Sequence, residues 1–320
     1  MKKTNKLTSS GGNIMFYKKI NLIIIISLFF STIAFAQNNE KGDYIDDYFN
    51  DNVLDFIYTS RPMIEVNYGI GNAGQANLTG ELAAVGNWDV KLGKSERKIY
   101  KGILLDLNER YIFGSYMSSS QQNYIETDGK ILTDSYRFGF GSRDGIGYGG
   151  SFLSVTPYVS QDFVWTKLDN FSDSTNSPFS NSRAQYTGTQ LNDYDILNDY
   201  SGTFRFGDKA TYGVKLEFAS LFQLNPYYET SVVYRRHLFW YWSGSFLVSQ
   251  IGYNILATFT DEIVDASPVI GPIVNFALKA GYLYGYYLLR QENMNWPFNP
   301  SGNEAALTFE TFNIGFSMVF

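Results

Sequence analysis

The chain has 320 residues, with 25 Lys and Arg against 31 Asp and Glu, no Cys, one His and 18% aromatic residues. Without thiols it can form neither disulfides nor thiolate sites, and its acidic surplus disfavours nucleic acid and anionic lipid surfaces as partners. Its mean hydropathy, slightly below zero, is lower than a bundle of membrane helices would produce.

The first element is a leader. Basic Lys18 and Lys19 follow Met15, residues 22–30 are apolar apart from Ser27, and Ala34-Phe35-Ala36 supplies a small-residue cleavage site. Residues 1–36 therefore read as a signal peptide starting at Met15. They carry five Lys and no acid, so cleavage leaves 20 basic against 31 acidic residues and a net charge of −11. Residues 37–61 form a periplasmic N-terminal segment. Within it Ile45, Tyr48, Phe49, Val53, Phe56 and Ile57 fall at helical spacing, which predicts a short amphipathic helix.

From residue 62 onward the pattern changes to period two, the mark of strands with one apolar and one polar face. Ile64, Val66, Tyr68 and Ile70 oppose Glu65, Asn67 and Gly69; Trp88, Val90 and Leu92 oppose Asn87, Asp89 and Lys91. A third strand over 109–127 is expected to point Tyr111, Phe113 and Met117 outward and to end at Asp128-Gly129, a hairpin signal. Tyr136, Phe138 and Phe140 oppose Arg137, Gly139 and Gly141. Leu153, Val155, Val159, Phe163 and Trp165 oppose Ser154, Thr156, Ser160 and Asp162. Residues 169–201, rich in Ser, Asn, Asp and Thr, read as a large surface loop. Phe204, Phe206, Tyr212, Val214, Leu216 and Phe218 then back Arg205, Lys209, Lys215 and Glu217.

Residues 238–260 carry no charge, and either a long helix or two strands could use them. Ser243-Gly244-Ser245 has turn chemistry, and alternation on both sides of it favours a strand hairpin. One strand carries Glu229, Arg235 and His237 on its polar face; the other has Leu247, Ile251, Tyr253, Ile255 and Phe259 on its apolar face. Across 274–288 a helical ridge of Ala277, Gly281 and Gly285 competes with an alternation that sets Lys279 on the polar face, and the strand separates the residue types more cleanly.

The final strand ends in Phe312-Asn313-Ile314-Gly315-Phe316-Ser317-Met318-Val319-Phe320. This terminus resembles the C-terminal signature of bacterial outer-membrane β-barrels. The resemblance implies that Phe316, Met318 and Phe320 form the signal read by that family's assembly machinery, with the protein in the outer membrane of a Gram-negative bacterium and in contact with its lipid. Ten strands follow from the alternation, with twelve as the alternative. The expected architecture is an all-β, transmembrane, antiparallel up-and-down barrel over 62–320, with 169–201 extracellular.

Its predicted lumen is lined by Glu65, Asp89, Lys91, Arg137, Asp162, Arg205, Lys215, Glu217, Glu229, Arg235, His237 and Lys279. Mixed charges in a barrel of this size are expected to pair and fill it. No catalytic, cofactor-binding or metal-binding set emerges; carboxylates such as Asp193, Asp195 and Asp199 lack the spacing of a calcium loop. The expected function is non-enzymatic: binding of an extracellular ligand through 169–201, or passage of small solutes through a narrow charged lumen. A lipid or peptide hydrolase using His237 with Asp193 and Asp195, or a structural envelope protein, are the alternatives.

Overall fold

The computed structural model describes residues 60–100, 103–119, 130–150, 152–173, 189–218, 221–298 and 304–320. The leader and nearly all of the N-terminal segment lie outside the described residues. Eight strands close into one antiparallel barrel in chain order: β1 (Arg61–Gln75), β2 (Val85–Tyr100), β3 (Leu104–Ser118), β4 (Ile131–Tyr148), β5 (Leu153–Asp173), β6 (Arg205–Phe218), β7 (Phe222–Val233) and β8 (Leu307–Val319). The chain is thus an all-β up-and-down barrel, but with eight strands rather than ten or twelve.

Closure is exact in register. Following hydrogen-bonded partners from Met63 leads through Gly93, Tyr111, Gly141, Asp162, Lys209, Ser231 and Phe309 back to Ala73 on β1. The path returns ten residues further along its starting strand, the stagger that tilted strands need in order to close. Both ends of the chain's barrel segment meet at one rim, where the Phe320 N–H donates to Pro62 O at 3.0 Å. The turns between β2 and β3, β4 and β5, and β6 and β7 open onto that rim and are short. The long connections all leave from the opposite rim.

The strand count differs from expectation because two of the expected strands are helices. Between β7 and β8 the chain forms α2 (Phe239–Ala266) and α3 (Gly271–Glu292), an antiparallel helical hairpin. The buried residues of α2 are Trp242, Ser245, Ser249, Tyr253, Thr260 and Val264, a helical stripe that no strand alternation could bury. Tyr253, expected on the same face as Ile251 and Ile255, is buried while those two are exposed. Ser243-Gly244-Ser245 lies in the second turn of α2 and is not a hairpin turn. Glycine matters at Gly252, where an added Cβ would lie 2.2 Å from the Tyr282 hydroxyl of α3. Pro272 sits in the first turn of α3, where its missing N–H has no intrahelical partner to lose. Because two strands became two helices, the even count and the shared rim of the termini survive.

The expected third strand is also shifted: β3 ends at Ser118, and its parity is reversed. Tyr111, Phe113 and Met117 point inward and are buried. Within the expected loop, β5 continues to Asp173 and a short helix, α1 (Thr189–Asn198), follows. By hydropathy, no helix among the described residues is long and apolar enough to cross a membrane, a criterion that does not concern strands.

Candidate functional site

The interior of the barrel holds most of its charge. Arg143 on β4 is fully buried and donates from both terminal nitrogens to Glu65 on β1, at 2.9 and 3.0 Å, and to Glu109 on β3 at 2.8 Å. Lys91 on β2 reaches Glu65 at 3.1 Å and Asp89 at 3.7 Å. Lys215 on β6 pairs with Glu109. Nearer the far rim, Lys209 bridges Asp162 at 3.2 Å and Glu229 at 3.3 Å, and Arg137 donates to Glu229 at 2.9 Å. Arg97 and Glu217 pair near the short-turn rim.

Neutral donors add to the ion pairs: Asn225 Nδ2 to Glu65 at 2.8 Å, Asn67 Nδ2 to Asp89 at 2.7 Å, Ser95 to Glu109 at 2.9 Å and the Tyr111 hydroxyl to Asp162 at 2.9 Å. Aromatic faces cover the cations. Arg143 lies 4.4 Å from the Tyr158 ring centroid, Lys91 4.6 Å from Tyr227 and Lys209 3.7 Å from Phe113. Gly213 makes room for this stacking, since a Cβ there would sit 2.7 Å from the Tyr158 hydroxyl. Isolated buried charge is prohibitively costly, whereas each of these charged groups has an oppositely charged partner, even though Arg143 Nε and Arg137 Nε and Nη2 meet no hydrogen-bond acceptor. Packed side chains occupy the bore of the barrel.

The structure places Glu65, Asp89, Lys91, Arg137, Asp162, Lys215, Glu217 and Glu229 on inward positions of their strands, all buried. Four expected lining residues stand elsewhere. Arg205 opens β6 at the long-loop rim and donates to Asp199 O at 2.6 Å. Arg235, beyond the end of β7, pairs with Asp199 at the same rim. His237 sits outside the wall among Phe206, Phe239 and Trp242. Lys279 lies on α3, also outside. For the last two, strand parity does not hold, because His237 lies beyond the end of β7 and Lys279 on a helix.

Glu109, Arg143, Arg97 and Lys209 join the interior without being among the expected lining residues. Arg143 shares parity with Arg137, Gly139 and Gly141, so it was reachable by extending that strand two residues. Glu109 shares parity with Tyr111 and Phe113, and a carboxylate on that face was a signal that the aromatics point inward.

A second layer closes the long-loop rim. Ile196 and Leu197 of α1 and Tyr200 just beyond it are buried in an apolar cluster with Leu82, Val85, Met117, Ile131, Leu168, Val233, Leu307 and Phe309. Asp193 fixes the approach by accepting the backbone N–H groups of Thr79 and Gly80, each at 2.9 Å. The mouth of the barrel is plugged by apolar contact above the ionic interior. Burial also pushes the Tyr200 hydroxyl above the ordinary tyrosine range.

The outer wall has two unlike halves. Around β8, β1, β2 and β3 a belt of Phe312, Ile314, Phe316, Ile64, Val66, Tyr68, Ile70, Trp88, Val90, Leu92 and Ile112 is exposed. Across β4 to β8, outward positions include Asp144, Gln161, Asp208 and Glu310, and the helical hairpin contacts each of them. Lys279 reaches Asp144 at 3.4 Å, Gln250 donates to Gln161 at 2.6 Å, Arg290 pairs with Asp208, and Gln291 donates to Glu310 at 3.3 Å. Apolar contact fills the gaps: Tyr253 and Leu283 pack with Val159 and Tyr212, and Trp242 with Phe163 and Phe206.

Among the described residues, His237 and the pair Asp193 and Asp195 are not brought together. Asp208, the carboxylate nearest in role to His237, is engaged by Arg290 and by the Tyr234 hydroxyl at 2.5 Å. Asp193 serves as a backbone cap for another loop. Among the described residues no group of three or more Asp, Glu and His is arranged to hold a metal.

Taken together, the fold is a closed eight-stranded antiparallel barrel, packed inside by ion pairs, plugged at one rim and buttressed outside by a helical hairpin. Among solved structures the chain is similar to Neisserial surface protein A (NspA), with 7% identity, over 81% of this chain and 97% of that one, at a TM-score of 0.36. No family model matches the chain, and no curated protein matches it.

Proposed function

We propose that this protein is a non-enzymatic barrel of the Gram-negative outer membrane that conducts no solute and acts through its surfaces. The observation that carries this reading is Arg143, wholly buried between Glu65 and Glu109, in a bore filled by ion pairs. Of the two non-enzymatic activities the sequence suggests, solute passage would require both the ionic interior and the apolar plug of α1 to be displaced. Binding at the long-loop rim, or a structural role in the envelope, requires neither. The exposed apolar belt, the short turns at one rim and the long connections at the other support a membrane setting with the long loops outward. Lipid is then the partner of the belt, and an extracellular ligand would meet the outer part of 169–201, since Ile196, Leu197 and Tyr200 are already occupied in the plug.

Planar-bilayer recording of the purified protein tests this. The filled bore predicts a flat current trace, whereas steady conductance in the unmodified protein would overturn the sealed reading. Loss of cell-surface ligand binding on replacing 174–188 by a Gly-Ser linker would then separate the binding role from a structural one.

A further inference from the structure

We infer that the α2–α3 hairpin lies within the bilayer beside the barrel, its outer face in contact with lipid acyl chains; this rests on the membrane reading of the strand belt. The hairpin runs the height of the wall. Its base meets β6 at the long-loop end through Trp242 on Phe206 and Arg290 on Asp208, and its tip reaches the opposite rim, where the Tyr148 hydroxyl donates to Val269 O at 2.6 Å. At about 1.5 Å per residue, helices of this length extend over the roughly 30 Å of a hydrocarbon core.

Charge is partitioned in the same sense. Residues 238–260 carry none, and between 271 and 289 the sole charge is Lys279, turned to the wall and 3.4 Å from Asp144. The acids Asp261, Glu262 and Asp265 gather toward the tip. The face turned away from the barrel exposes Leu247, Ile251, Ile255 and Phe259 on α2 and Ile273 and Leu288 on α3. Each helix thus has a polar stripe satisfied by the barrel or by the facing helix, and an apolar stripe that nothing among the described residues covers. The average over both stripes lowers its hydropathy, and the arrangement is the one intramembrane polar groups adopt, facing protein and pairing there. The bare strand belt and the outer face of the hairpin form one apolar circumference.

The absence of Cys allows a direct test with single-cysteine variants carrying a nitroxide, reconstituted in phosphatidylcholine vesicles. Val90→Cys reports the strand belt and Ile255→Cys the hairpin, with Leu247→Cys as a second hairpin site should Ile255→Cys fail to fold. Collision with dissolved oxygen several-fold greater than with a water-soluble nickel chelate at both positions is expected. If Val90→Cys is nickel-accessible, the membrane reading itself fails. If Val90→Cys is lipid-exposed while the hairpin site collides with nickel, the hairpin lies in water and the inference is overturned. A hairpin site shielded from both probes would mean that protein covers it, which also overturns lipid contact.

Discussion

Arg143 and Glu65 face each other across the barrel interior as a two-pronged pair, with both terminal nitrogens of the guanidinium donating to both carboxylate oxygens. That geometry is specific to arginine, whose planar fork matches a carboxylate, and lysine cannot reproduce it. Glu65 also receives Lys91 and Asn225, so the pair is the hub through which β1, β2, β4 and β7 are tied across the bore.

Arg143→Ala should destabilise the barrel by about 3–5 kcal/mol, because it leaves Glu65 and Glu109 buried with too little positive charge. Urea unfolding in detergent micelles would measure it as a lowered midpoint. Adding Glu65→Gln to the same variant should recover part of the loss, and Arg143→Lys should fall between the two.

Leu197→Ala removes a fully buried side chain from the plug and should cost about 2–5 kcal/mol of local stability, by lost transfer energy and the cavity left behind. Limited proteolysis should then cut between β5 and β6 faster than in the unmodified protein. The ionic interior does not depend on this residue, so the variant barrel should remain non-conducting in a planar bilayer.

His237 should titrate below the ordinary histidine value near 6.5, since partial desolvation by its aromatic neighbours, on a ring that stays solvent-exposed, disfavours the imidazolium more than Asp208 favours it. A depressed value means that the unfolded form takes up the proton first. The contribution to stability is therefore complete above the unfolded value and declines as pH falls through the lower folded value. Amide exchange in 234–246 should quicken across that window, and His237→Asn should abolish the pH-dependent step.

Deletion of Phe320 should leave refolding in detergent almost unchanged. Its side chain is exposed and its backbone contributes one rim hydrogen bond to Pro62. If the terminal strand is an assembly signal, the same deletion should prevent accumulation in the outer membrane, read by fractionation and immunoblot. Normal outer-membrane levels would remove the reason for assigning Phe316, Met318 and Phe320 that role.

The barrel was legible wherever one face of a strand is apolar and the other polar. Glu65 against Ile64 and Val66, or Lys91 against Val90 and Leu92, fixes which side faces the bore, since a single-residue slip would reverse every side chain. The alternation misleads at β3, because Tyr111 and Phe113 are aromatics serving the interior, one as a hydrogen-bond donor to Asp162 and the other as a platform for Lys209. It misleads again at α2 and α3. A helix with one side on a polar-studded wall and the other exposed mixes residue types in a way that short windows cannot separate from strand parity. Only the longer spacing Trp242, Ser245, Ser249, Tyr253, or Asn275, Lys279, Leu283, Tyr286, distinguishes them. The plug was hidden for a different reason: a Ser- and Asn-rich composition signals a loop, and Ile196, Leu197 and Tyr200 acquire meaning only from the apolar rim that receives them.

Because the hairpin packs against part of β4 to β7, reaches β8 at Glu310 and leaves β1 to β3 bare, the barrel has a front and a back. A protein travelling beside it would meet pleated strands along one arc and a ridged helical surface along the other. Most small barrels are nearly the same from every compass direction, so their neighbours have little by which to choose an approach. Here the choice of side is already written into the wall, and any lateral assembly, whether with a second copy or with another barrel, inherits a defined azimuth.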